Sequence, residues 1–200
     1  MIAFVSGILE IKFNGYVVIN VQGIGYKVFM SENSIEKLGN IGDNVKVFTH
    51  QHVREDEISL YGFLTLENLN MFELLISVSG VGAKSALIIL ANIEPSAFAL
   101  AVITNDTSKL IKIPGIGAKS AARIILELKD KLENNDIISK NKICESQNIV
   151  YDSKKIEEAI SALQVLGYNR KDIEKTFERI DLSASLEDVI KQALKYLSKN

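Results

Sequence analysis

The sequence predicts a multi-domain α+β protein: a small antiparallel β-barrel, a middle all-α domain, and a terminal three-helix bundle. Three observations predict it. Short β-branched and aromatic runs broken by turn residues fill positions 1–63, apolar spacing switches to a helical period from Leu64, and a polar aperiodic stretch at 134–153 precedes a last amphipathic segment. A chain of 200 residues with 47% hydrophobic content can bury more than one core.

The barrel strands are expected at Ile8 to Phe13, Tyr16 to Val21, Gly25 to Met30, Asn44 to His50 and Ile58 to Phe63. Asn14-Gly15, Gly23 to Gly25 and Gly39 to Asp43 punctuate them, as tight connections between antiparallel strands require. Five strands of this length suit an OB-type barrel over 1–63. The tip Arg54-Glu55-Asp56-Glu57 is either a solvated turn or, beside nucleic acid, a surface that repels phosphates. His50 and His52 can share a strand face, but no cysteine or third histidine completes a metal site, so they read as ordinary strand residues. The single cysteine, Cys144, excludes an internal disulfide. No metal and no cofactor is expected.

The middle domain, 64–133, holds a near-duplication. Gly-Val-Gly-Ala-Lys-Ser-Ala at Gly80 to Ala86 returns 35 residues later as Gly-Ile-Gly-Ala-Lys-Ser-Ala at Gly115 to Ala121, and positions 75–91 and 110–126 share nine identities. Each copy follows one apolar helical stretch and opens another. Paired glycines permit a tight reversal, and the residue between them, Val81 or Ile116, can turn inward as a plug. The second helix then begins with unpartnered amides and the positive end of its dipole, where a phosphate fits. Lys84 and Ser85, or Lys119 and Ser120, stand in that first turn, and Arg123 lies at i+4 from Lys119 on the same face. No residue here offers base-edge recognition, so the expected grip is on the sugar-phosphate backbone.

A nucleotide-binding P-loop is a rival reading of the same letters. It needs glycine directly before the lysine and again five positions upstream of it, where this chain has Ala83 and Val78, then Ala118 and Ile113. A purely structural role for the glycines, as helix-helix turns, leaves the duplicated lysine and serine without a reason. The overall charge of −2 is not that of a typical nucleic-acid binder, yet residues 71–130 carry six basic against five acidic residues while 1–70 carry five against eight.

The stretch 134–153, rich in Asn, Ser, Lys, Asp and Gln, reads as a flexible linker. The bundle follows at 154–200: Ile156, Ala159, Ile160, Leu163 and Leu166 mark a first helix ending at Gly167-Tyr168, with others over about 170–180 and 186–197. Leu163, Leu166, Tyr168 and Leu194 form either an exposed apolar patch for a partner or the bundle's own core. No run approaches the roughly 18–20 apolar residues of a membrane helix. The start, Met1-Ile-Ala-Phe-Val, lacks a basic signal-peptide region, so a cytoplasmic protein with no membrane partner is expected.

The apolar-x-Gly-apolar-Gly-x-x-x-Ala pattern resembles the helix-hairpin-helix motif of DNA-binding proteins, and both copies match it throughout. With Thr49-His50, Val53-Arg54-Glu55-Asp56, Leu60-Tyr61-Gly62-Phe63, Gly23 to Tyr26, Pro114 to Lys119 and the terminal Leu166-Gly167-Tyr168, the whole chain resembles the RuvA family. That resemblance implies an OB-fold barrel, a double helix-hairpin-helix domain and a tethered, UBA-like three-helix bundle. It implies a homotetramer, or two tetramers forming an octamer, that holds a four-way (Holliday) junction open for branch migration in homologous recombination, DNA repair and the SOS response.

By the same resemblance, DNA phosphates are held by Ser79, Gly80, Gly82, Lys84, Ser85, Gly115, Gly117, Ala118, Lys119, Ser120 and Arg123. Glu55 and Asp56 match an acidic pin that repels phosphates at the crossover. Leu163, Leu166, Tyr168 and Leu194 match the patch that meets the RuvB ATPase, and a RuvC resolvase is a further implied partner. The chain itself is expected to be non-catalytic, with no catalytic residues. Two other classes fit less well: a helix-hairpin-helix repair hydrolase holding Mg²⁺ at Glu55, Asp56 and Glu57, and an adaptor that uses only the terminal bundle.

Overall fold

A computed structural model of the chain describes residues 1–139 and 152–197. It falls into two compact units, Met1–Ile76 with Gly82–Asn92, and Ser77–Val81 with Ile93–Asn200. The segment expected as one middle domain, 64–133, is thus divided between them.

The first unit is built on a closed barrel of β1 (Phe4–Phe13), β2 (Tyr16–Val21), β3 (Ile24–Phe29), β4 (Asn44–Val53) and β5 (Ile58–Phe63) in the order β1-β2-β3-β5-β4. All neighbours are antiparallel except β3 and β5. β1 begins four residues earlier than its sequence pattern predicts because it serves two partners. Its second half pairs with β2 from Ile8 to Phe13, its first half with β4 from Phe4 to Ile8, and a register shift lies between Leu9 and Ile11. A bulge of this kind bends the strand and lets the sheet close. Gly7 sits in that crossover, where a Cβ would collide with the carbonyl oxygen of Asn20.

The barrel interior is filled by Val5, Leu9, Val17, Ile19, Val28, Met30, Val45, Val47 and Leu60, with Ile35 closing the cluster. Ile35 belongs to a helix absent from the sequence reading, α1 (Glu32–Lys37), whose N-cap Ser31 accepts a hydrogen bond from the Ser34 amide. On the barrel lies α2 (Leu66–Ile76), anchored by the buried Phe72. Its ring centroid is 4.9 Å from that of Phe63, 5.2 Å from Tyr61 and 5.4 Å from His50. α3 (Ala83–Asn92) buries Ala83, Ala86 and Ile89.

The second unit contains α4 (Pro95–Ile103), α5 (Thr107–Ile111), α6 (Ala118–Ser139), α7 (Asp152–Val165), α8 (Arg170–Phe177) and α9 (Leu186–Leu197). α4 carries no charged residue and buries Pro95, Ser96, Phe98, Ala99, Ala101 and Val102. It is covered by α5 and α6 and also by α7 and α9. The helix α6 runs six residues into the stretch expected as a linker and α7 starts just before its end, while 140–151 lie outside the described residues. The terminal bundle packs on α4 through α7 and α9.

Candidate nucleic-acid interface

The duplicated heptapeptides fold alike. In the first, the Val81 amide donates to the Val78 carbonyl at 3.1 Å; in the second, the Ile116 amide donates to Ile113 at 3.1 Å. Gly80 and Gly115 sit at φ of 84° and 81°, a left-handed conformation that side chains resist. Val81 and Ile116 turn inward and are buried, as the sequence predicts for a plug. The first bonds of the following helices run from Ala86 to Gly82 and from Ala121 to Gly117, both at 2.9 Å. The amides ahead of them have no partner within the helix, so each helix mouth offers donors to an anion.

In the second unit, Ser79, Gly80, Val81, Lys119, Ser120 and Arg123 line one cleft of about 280 Å³. A Cβ built on Gly80 would lie 3.4 Å from Nη1 of Arg123, so the guanidinium of the second motif stands against the turn of the first. The Ser79 amide donates to Oε2 of Glu127 at 3.0 Å, tying that turn to α6 across 48 residues of sequence. Gly115, Gly117, Ala118, Lys119, Ser120 and Arg123 are all exposed.

In the first unit, Gly82, Lys84 and Ser85 share a cleft of about 270 Å³ with Ala83 and the barrel residues His52, Arg54, Glu57, Ser59 and Tyr61. Nε of Arg54 donates to Nε2 of His52 at 3.0 Å, which requires that nitrogen to be unprotonated. Burial first, then the Arg54 guanidinium and His50, hold the His52 imidazole below its usual range. Burial, followed by Glu57, pushes the Tyr61 phenol up. The Ser59 hydroxyl donates to the Glu57 carboxylate. His52 and Arg54 were missed as neighbours of the first helix mouth because only the fold joins them to Lys84.

His50 and His52 do share a strand face, with ring centroids 6.1 Å apart, and Nδ1 of His50 pairs with Glu73 at 3.0 Å. Glu55 and Asp56 sit at the exposed tip between β4 and β5, in a turn closed by the Arg54 amide donating to the Glu57 carbonyl at 2.8 Å. Among the described residues no group of three or more His, Cys, Asp or Glu side chains is placed to hold a metal ion. Among them, too, no single helix is long and apolar enough to cross a membrane.

Burial distinguishes the two readings of the bundle's apolar residues. Leu163 and Leu166 are fully buried and Leu194 is 8% exposed, while Tyr168 is half-buried. Of the two readings the spacing allowed, these leucines take the core one, because α7 and α9 pack on each other and on α4.

Comparison with known proteins covers all three parts of the chain. Residues 1–62 match the model described as the RuvA N terminal domain, 72–130 that of the SAM-like helix-hairpin-helix tandem, and 154–198 that of the RuvA C-terminal domain. The chain is 48% identical over 201 residues, covering 100% of both, to the Holliday junction branch migration complex subunit RuvA of Acetivibrio thermocellus. It is 43% identical to the protein of that name in Ruminiclostridium cellulolyticum, over 98% of this chain and 100% of the relative. To that in Clostridium botulinum (strain 657 / Type Ba4) it is 44% identical over 100% of both.

Proposed function

The chain belongs to the RuvA family of Holliday junction branch migration complex subunits, and from that premise we propose that it binds four-way junction DNA by its phosphates, without reading sequence. The observation that carries this reading is the cleft where Ser79 and Gly80 of one hairpin meet Lys119, Ser120 and Arg123 of the other. It offers cations, hydroxyls and peptide amides, the groups that hold phosphate oxygens.

Geometry then suggests the division of labour. Attraction at the helix mouths holds duplex arms, and indifference to sequence lets a crossover slide. A homotetramer would gather four exposed Glu55-Asp56 tips at its centre, where eight carboxylates repel phosphates and part the strands. The chain supplies no energy itself in this reading: a RuvB ATPase, met through the C-terminal bundle in the cytoplasm, drives migration. Because Leu163, Leu166 and Leu194 are buried, contact with the motor through them requires the bundle to rearrange.

The deciding experiment is titration of labelled four-way junctions of unrelated sequence with the wild type and with a Lys119→Ala/Arg123→Ala variant. Equal weakening on every sequence supports the reading; unchanged binding overturns it.

A further inference from the structure

Helix α6 brings more than cations to the cleft. One turn beyond Arg123, Glu127 accepts the Ser79 amide at 3.0 Å. Ser79 lines the cleft together with Lys119, Ser120 and Arg123. An outward peptide amide in such a turn is the kind of donor a phosphate oxygen uses. Here a carboxylate oxygen, of the same charge sign, already occupies it.

We propose that Glu127 is an internal competitor of the DNA phosphate, a residue that sets how weakly this cleft holds a duplex. The inference rests on the reading of the cleft as a phosphate site and deepens it. When a phosphate arrives, Glu127 either keeps the amide and repels the newcomer, or swings away and gives the amide up. Both courses lower affinity relative to a neutral side chain in its place. A carboxylate about 6 Å from a phosphate in water-like surroundings opposes it by an amount equal to about a threefold change in affinity. A duplex that must slide gains from such a weakened grip.

Glu127→Gln isolates the effect, since the amide oxygen of glutamine still accepts from Ser79 and keeps the turn tied to α6 while the charge is gone. Junction binding should tighten about threefold at low salt, and the gain should shrink as salt screens the charge. Glu127→Lys should tighten it further. A merely structural residue would change affinity by the same factor at every salt concentration. Equal or weaker binding by Glu127→Gln, or a salt-independent change, overturns the competitor role. Lys119→Ala/Arg123→Ala is titrated alongside: if it binds as the wild type does, the phosphate reading itself fails. If it weakens while Glu127→Gln does not tighten, only the role of Glu127 falls.

Discussion

Removing Lys119 and Arg123 together is the sharpest perturbation, because both are exposed, line one cleft and leave the buried plugs Val81 and Ile116 untouched. On duplex DNA each neutralised phosphate contributes about 0.9 to the slope of log affinity against log salt. Two lost contacts flatten that slope by about 1.8 per gripped arm. Over a fourfold rise in salt, from about 50 to 200 mM, the wild type should therefore lose about twelvefold more affinity than the variant for each arm held. Binding should not vanish, since the peptide amides of both helix mouths are still in place. Fluorescence anisotropy on two junctions of unrelated sequence, repeated across that salt range, reads both quantities. An unchanged slope, or a loss confined to one sequence, would refute phosphate gripping by this cleft.

Three further outcomes are expected. Glu55→Gln with Asp56→Asn should keep or raise affinity for DNA while reducing the preference for four-way junctions over linear duplex in competition gels; a sharp loss of all binding would contradict a repulsive tip. Gly115→Ala should cost about 1–2 kcal/mol in denaturant unfolding, because φ is 81° although the surrounding space is open, whereas Gly117→Ala, in open space without positive φ, should stay within about 0.5 kcal/mol. His52 has a folded pKa below the unfolded value of 6.5, so its contribution is level above pH 6.5 and stability is lost as pH falls from there toward the folded pKa. His52→Gln should flatten that acid loss in thermal melts between pH 7 and 5, and parallel curves for the two proteins would discount the histidine.

What could be read from the sequence was local. The glycine turns were legible because their geometry needs only residues within one reversal, and the copies at Gly80 and Gly115 repeat the same hydrogen bond. The strands β2 and β5 were legible because turn residues bound them. The first residues of β1 were not, since their partner β4 lies some forty residues away. The six-residue α1 owes its place to Ile35 entering the barrel, a tertiary demand that overrides a weak local pattern. Glu127 and Arg54 escaped for the same reason: each reaches its hairpin only through folding. Leu163, Leu166 and Leu194 show the limit of periodicity, which marks an apolar face without saying what will cover it.

That α4 carries no charged side chain ties the terminal bundle to the rest of its unit. Such a helix has no charged flank to show to water, so were α7 and α9 to lift away from it, the apolar face they pack against would stand in solvent. Keeping the bundle seated and keeping this hydrophobic rod dry are therefore one condition, a counterweight built into the chain against letting the bundle go.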